Sequence, residues 1–396
     1  MRDYALYARL REEQPIARAT IGGGVRGWLV TRYDDAVAVL KDERFANDRN
    51  NAPAPSLPLM ERVVRRSFGP LMTHLLARDN PDHARLRGLV QKAFTVNAVE
   101  AMRPRVEALT AELLGKAVAR GGLDIVRDYA LPLPITIIAE MFGVPPEERE
   151  RFHRWARALV DVSGFSPWAM LKSAPSLLAY VRYLRLLIRR RRELPGADMI
   201  SALVAAEEAG DKLSEGELLA MIYLLLVAGY ETTVNLISSG TLALLENPEQ
   251  LLRLRVDPAL MEPAVEEMAR YYSPIEHSVP RMARCDLQLR EVLVRRGEPM
   301  FVNFASANRD ARQFPEPDVF DIARSPNRHL GFGQGMHYCL GAPLARLESQ
   351  VAFRTLLERL PELRLAVPRD RLRWRNSLIL RGLESLPVAA GATPRA

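Results

Sequence analysis

Residues Phe332–Gly341 read FGQGMHYCLG and hold Cys339, one of two cysteines in the chain, among Gly333, Gly335 and Gly341. A free cysteine is most often a small buried core residue, yet a core position does not call for glycines on both sides. A nucleophile at Cys339 with His337 as its base fails on geometry, because residues two apart point to opposite faces of an extended segment. Tetrahedral zinc gathers four Cys or His ligands at repeated spacing, and no such set is visible in the sequence. The third reading is an axial thiolate to haem. Glycines let a backbone lie against a flat macrocycle where a Cβ would clash. A helix opening just after Cys339 would aim amide donors and the positive end of its dipole at the sulfur, favouring thiolate over thiol.

Outward from this loop, the 396 residues are 48% hydrophobic and 26% charged, the balance of an ordinary globular protein. Two cysteines, Cys285 and Cys339, exclude a disulfide framework and fit a reducing, cytoplasmic setting. The start, MRDYALYARLREEQP, mixes charges with apolar residues and reads as neither a secretion signal nor an anchor. The net charge of +7 comes from 55 basic and 48 acidic residues spread along the chain. Its densest block, Arg189–Arg192, reads as a solvated helix end and not as a nucleic-acid groove. The longest apolar run, Leu218–Gly229, falls short of the roughly 18–20 residues that span a bilayer, which predicts a buried core helix and no membrane.

Periodicity predicts a strand at Val25–Arg32 and helices over Asp34–Lys41, Asp82–Ala93, Val99–Arg120, Pro134–Phe142, Glu147–Val162 and Ser173–Arg192. Ser214 and Glu217 have capping-box spacing. Nothing stops the helix they open before Asn247-Pro248, so it spans about 32 residues, roughly 48 Å. A helix at Met261–Tyr272, short strands at Leu287–Leu289, Val292–Val294 and Met300–Phe304, and a helix from Leu340 to Leu360 complete the pattern. The expectation is a mainly α protein with small β-sheets (α+β), one domain over residues 1–396.

Here a resemblance enters. Phe332, Gly335, Cys339 and Gly341 fit Phe-x-x-Gly-x-x-x-Cys-x-Gly, and FGQGMHYCLG resembles the haem-binding signature of the cytochrome P450 family. The resemblance implies the fold of that family, with the long helix passing over haem b. It makes Cys339 the proximal metal ligand, with Phe332 packed beneath the haem and Gly333 and Gly341 beside it. It assigns His83, Arg87, Arg281 and His337 to the haem propionates; His83 and Arg87 are four apart and share a helical face. Glu267 and Arg270 resemble the family's Glu-x-x-Arg, a buried structural pair that also engages a downstream segment, here Phe314–Arg324. AGYETT, residues 228–233, has poor helix propensity for the middle of a helix, and threonine there can bond back to the i−4 carbonyl and distort the turn. The family places an acid–alcohol pair at this point, which makes Glu231 the acid and Thr232 the alcohol of a proton relay.

The activity so implied is a haem-thiolate monooxygenase. It takes O2 and a hydrophobic small molecule, with electrons from a ferredoxin and an NAD(P)H-dependent ferredoxin reductase. The rival is a haem-binding sensor or carrier without turnover, which has no use for Glu231 and Thr232. Candidate pocket residues by position are Phe68, Leu71, Leu75, Phe165, Leu178, Ala228, the Ile275–Val279 stretch with His277 and Val279, and Leu378 with Ile379. They are mostly apolar, which suits a fatty acid, terpenoid, steroid or macrolide.

Overall fold

The structure, a computed structural model, describes residues 4–21, 25–51, 71, 73–160, 167–208, 213–377 and 379–389. The longer helices are α1 (Tyr4–Glu13), α2 (Tyr33–Lys41), α3 (Asp82–Gln91), α4 (Arg103–Ala119), α5 (Pro132–Met141) and α6 (Arg149–Val160). They continue as α7 (Pro167–Glu193), α8 (Met199–Glu208), α9 (Glu215–Glu246), α10 (Pro248–Val256), α11 (Met261–Tyr271) and α12 (Ala342–Arg359). The central helix α9 opens as its sequence predicts. Ser214 Oγ accepts from the Glu217 amide at 3.2 Å, and the Glu217 carboxylate accepts from the Ser214 amide at 2.9 Å.

Helix α9 is apolar on nearly every side because it is wrapped by α5, α11 and α12. By length and composition the whole helix could cross a membrane, although its longest uninterrupted apolar run is too short, but 67% of its most apolar window lies buried inside the fold. It also runs uninterrupted through residues 228–233, where the sequence predicts a distorted turn. Gly229 has a packing reason: a Cβ there would lie 2.1 Å from Ile138 Cδ1 on α5.

The main sheet has five strands, β1 (Ile16–Ile21), β2 (Val25–Val30), β3 (Phe45–Ala46), β5 (Arg281–Ala283) and β8 (Pro299–Val302), in the order β1-β2-β8-β5-β3. Only β2 and β8 run parallel, with Trp28 opposite Met300. A smaller sheet joins β4 (Leu123–Asp124), β10 (Pro387–Ala389) and β9 (Arg364–Leu365), and a hairpin pairs β6 (Leu287–Leu289) with β7 (Val292–Val294).

Several boundaries differ from the sequence pattern for local reasons. The helix predicted from Val99 is split into a short turn, Val96–Glu100, and α4, because Pro104 is accommodated only in a first turn. The strand predicted to Phe304 ends at Val302, where Asn303 caps a short helix by accepting from the Ser306 amide at 2.8 Å. Helices α1, α8 and α10 and strand β1 carry no strong signal in the sequence and emerge only in the structure.

One buried network ties α11 to the loop that precedes Cys339. Glu267 and Arg270, fully buried, form a two-point ion pair at 2.7 Å. Arg270 also donates to the carbonyls of Asn308 and Pro317, while Glu267 accepts from Arg324, Asn327 and the Asp321 amide. The Asn308 side chain in turn accepts from the Leu330 amide at 2.7 Å. A pair this well bonded avoids the penalty of a lone buried charge and sets the entry to the cysteine loop.

Candidate active site

The cysteine loop closes on itself. Cys339 donates its amide to the Phe332 carbonyl at 2.9 Å, and the Tyr338 amide donates to the Gly335 carbonyl at 3.0 Å. Gly333 and Gly335 have φ of +73° and +74°, a region that disfavours side chains. A Cβ on Gly335 would also sit 2.7 Å from the Leu40 carbonyl oxygen. So these two glycines answer to the loop's own backbone, and Gly335 to α2 as well, not only to a flat ligand. Gly341, at φ −83° with nothing within 4 Å of the point where a Cβ would stand, is the one that faces open space.

The Cys339 side chain is reachable by solvent, yet burial among surrounding protein pushes its thiol up. Together these describe a thiol at the floor of a recess. The amides of Gly341 and Ala342 and the charges of Arg346 and Arg87 pull the other way, toward thiolate. Arg346, which no sequence motif flags, braces the loop. It lies 4.3 Å over the Phe332 ring and grips Glu266 through two bonds at 2.7 and 2.8 Å. Burial opposes ionisation of Glu266, but Arg346 and His329 outweigh it and hold the carboxyl at about 2. His329, to which the sequence alone gives no role, sets its Nε2 3.1 Å from Glu266.

His83, Arg87, Arg281 and His337 come together. The His83 and His337 rings are 4.4 Å apart, edge to face. Arg87 donates to the carbonyls of Met336 and Tyr338, so it also pins the cysteine loop to α3. Arg281, 3% exposed, donates to the Val39 carbonyl at 3.2 Å, and burial lowers it to about 10. Burial, with the neighbouring His83 and Arg281, drops His337 to about 3, and burial with Arg87 lowers His83. The nearby carboxylate, Asp79, is already engaged by Arg284, Asn51 and the Asn47 amide.

His83 is 2% exposed and its Nε2 is buried without a hydrogen-bond partner. Arg281 forms no ion pair with a carboxylate among the described residues. Buried donors left in that condition are costly. A doubly anionic group set beside them would complete both, and a haem's two propionates would be such a group.

On α9, Glu231 is buried and pairs with Arg375, whose Nη1 donates to Oε1 at 2.9 Å. Thr232 Oγ1 donates to the Ala228 carbonyl at 3.2 Å. Ala228 is exposed and Thr232 partly so, although the helix around them is mostly buried, so these two mark an accessible face of α9. Adjacent helical residues are turned by about 100° from one another. The acid therefore faces Arg375 while the alcohol faces away.

Of the pocket candidates, Phe68, Phe165 and Leu378 lie outside the described residues. Leu71 and Leu75 are buried in the main core, and the Leu75 amide contacts Met221 Sδ of α9 at 3.3 Å. Residues 275–279 and Ile379 are brought side by side: Ile275 pairs with Leu380, and the Glu276 amide donates to the Ile379 carbonyl at 2.7 Å. Val279 is half-buried. His277 is buried edge-on to Tyr7 of α1, at 6.4 Å between rings, and bridges to Asn303. Leu178 is 49% exposed on α7, away from the buried Tyr180 and Leu184 of that helix.

A mainly helical fold that offers one recessed cysteine, gathers two arginines and two histidines beside its loop and carries an acid and an alcohol on its central helix has the features of a haem-thiolate protein. Known proteins agree with that class. A model of the Cytochrome P450 family matches residues 257–371. Cytochrome P450 107B1 of Saccharopolyspora erythraea is 46% identical over 388 residues, covering 98% of this chain and 94% of that protein. Polyketide biosynthesis cytochrome P450 PksS of Bacillus subtilis is 43% identical, covering 98% and 95%. The solved structure of PksS aligns with a TM-score of 0.90 at 42% identity, covering 98% and 97%. The 6-deoxyerythronolide B hydroxylase of Saccharopolyspora erythraea is 41% identical over 97% of this chain and 95% of its own.

The chain belongs to the cytochrome P450 family. Its relatives are named as monooxygenases and hydroxylases, and it is a P450 monooxygenase.

Proposed function

We propose that this chain binds haem b through Cys339 and oxygenates a polyketide-derived hydrophobic molecule, by hydroxylation or epoxidation, with electrons from a separate ferredoxin and its NAD(P)H-dependent reductase. The observation that carries the reading is the recessed Cys339 thiol, faced by two amides, in a fold that also buries the unpartnered Nε2 of His83 and the Arg281 guanidinium, which has no carboxylate partner among the described residues. Cys339 would hold the iron, and His83, Arg87, Arg281 and His337 the propionates. Such a group would supply the dioxygen-activating chemistry of an oxygenation in which one oxygen atom goes to the substrate and the other to water, with two electrons and two protons taken up.

The protein's own residues supply the setting. Gly341 and Ala342 amides and the Arg346 and Arg87 charges favour the thiolate against the burial that opposes it. Glu231 takes up protons and Thr232 passes them on at its hydroxyl, on the open face of α9. Leu71, Leu75, Ile275, Val279 and Ile379 give an apolar lining that orients the substrate and keeps bulk water out. A macrocyclic polyketide suits such a lining, and PksS is named for polyketide biosynthesis.

The test is spectroscopic. Wild-type protein reduced under carbon monoxide should show the red-shifted absorption of thiolate-ligated haem, and Cys339→Ala should lose it; a variant with an unchanged spectrum would refute the ligand. Titration with macrolactones and with long-chain fatty acids then tests the substrate class through the low-to-high-spin shift. A shift with fatty acids alone overturns the polyketide assignment.

A further inference from the structure

We propose that Glu266 and His329 are positioning residues for Arg346, and that the three together set how strongly the Cys339 sulfur donates to a bound iron. The inference rests on the reading of Cys339 as the haem ligand.

Helix α11 carries two adjacent carboxylates, and neighbours on a helix are turned by about 100° from one another. Glu267 serves the buried network at the entry to the cysteine loop, whereas Glu266 meets Arg346 of α12. Arg346 uses three sides of its guanidinium. Nε and Nη2 hold the two Glu266 oxygens at 2.7 and 2.8 Å, Nη1 donates to the Tyr338 hydroxyl at 3.2 Å, and the flat face covers the Phe332 ring. Phe332 opens the turn, with its carbonyl bonded to the Cys339 amide, and Tyr338 directly precedes the cysteine. Tyr338 is thus held at both ends, by Arg346 at its hydroxyl and by Arg87 at its carbonyl.

His329 fixes the other side of Glu266. Its Nδ1 accepts from the Gly331 amide at 3.0 Å, so the proton of the neutral ring lies on Nε2 and points at the Glu266 carboxylate 3.1 Å away. The turn leaves no room for a side chain: a Cβ on Gly331 would stand 2.8 Å from Nδ1 and 3.0 Å from the Ala269 carbonyl oxygen. The His329 side chain is 3% exposed, against 29% for Arg346. The histidine is therefore locked inside, and the arginine at the rim is the member that swings into water once Glu266 no longer holds it.

Arg346 is one of two arginines whose charge draws Cys339 toward thiolate. A positive charge kept near a ligating sulfur withdraws electron density from the metal and favours its reduced state. Arg346 acts on the sulfur, and Glu266 and His329 act through Arg346.

The experiment uses the haem-loaded enzyme and reads its reduction potential, its carbon monoxide absorption and its haem retention. Arg346→Gln removes the cation and should make one-electron reduction about tenfold less favourable, a fall of about 59 mV. Glu266→Ala and His329→Phe leave the arginine present but unclamped, and should shift the potential the same way by a smaller factor. Arg346→Lys keeps the charge without the fork and the stacked face, and should restore only part of the loss. The double variant Glu266→Ala, Arg346→Gln should match Arg346→Gln alone, because Glu266 then has nothing left to position. Where Glu266→Ala fails to load haem, Glu266→Gln, which keeps the side chain's shape, is measured in its place. A rise in potential in the Glu266 variant, or additive shifts in the double variant, would mean that the carboxylate acts by its own charge and would overturn the positioning role. So would loss of haem with the potential of the retained fraction unchanged, which is the mark of a purely structural brace. A wild type without the thiolate band would instead sink the ligand reading, so the two failures are told apart.

Discussion

Glu348 sits on α12, nine positions beyond the cysteine, with both carboxylate oxygens buried and unpartnered. Burial pushes it up to about 8. An unfolded chain releases this proton near 4.3. Between those values the native state therefore holds one proton more than the unfolded state, and stability falls as pH rises through that window. The melting temperature of the wild type should drop between about pH 5 and pH 8 relative to Glu348→Gln, which cannot titrate. Parallel curves for the two proteins would contradict this. At the same scale, the cysteine motif is legible because its residues are contiguous, and ligand clearance explains its glycines only in part. Gly335 is fixed by a carbonyl on α2, far back toward the start of the chain, and no local pattern encodes that contact.

Among the elements, α9 is the most legible, since its cap, its apolar run and its Asn247-Pro248 stop are all local signals. Ser214→Ala removes the first of these and should cost about 1 kcal/mol, read as a shift in urea midpoint at unchanged slope. Glu217→Gln should cost more, because Glu217 also pairs with Arg85 of α3 at 2.6 Å. A variant as stable as the wild type would mean that packing alone sets where this helix starts. Helix α1 is the opposite case. Its fixing contacts are Tyr7 to Glu276 and Arg11 to Ser306, whose partners lie far along the chain. With charges scattered among its apolar residues, it shows its amphipathic side only against the finished sheet.

Over the whole molecule, the Glu267–Arg270 network joins α11, the loop after Phe304 and the approach to Cys339. Arg270→Met strips one partner from a fully buried pair and should cost about 3–5 kcal/mol. The expected outcome is loss of soluble, haem-retaining protein, measured by yield and circular dichroism. Near-normal recovery would show that the pair is not what holds the loop. The Glu-x-x-Arg spacing is legible, but its carbonyl acceptors at Asn308, Pro317 and Val319 are not, because they follow from tertiary path and not from residue type. The Arg375–Glu231 bond lies in the same class, spanning 144 positions. The segment after Arg375 also meets the start of the chain, where Arg381 stacks on Tyr4 of α1 at 4.4 Å. During synthesis, then, the first helix can meet Glu276 and Ser306 early, whereas Tyr4 and Glu231 wait for Arg381 and Arg375 near the end of the chain. Premature termination ahead of Arg375 would leave the buried Glu231 without its guanidinium neighbour.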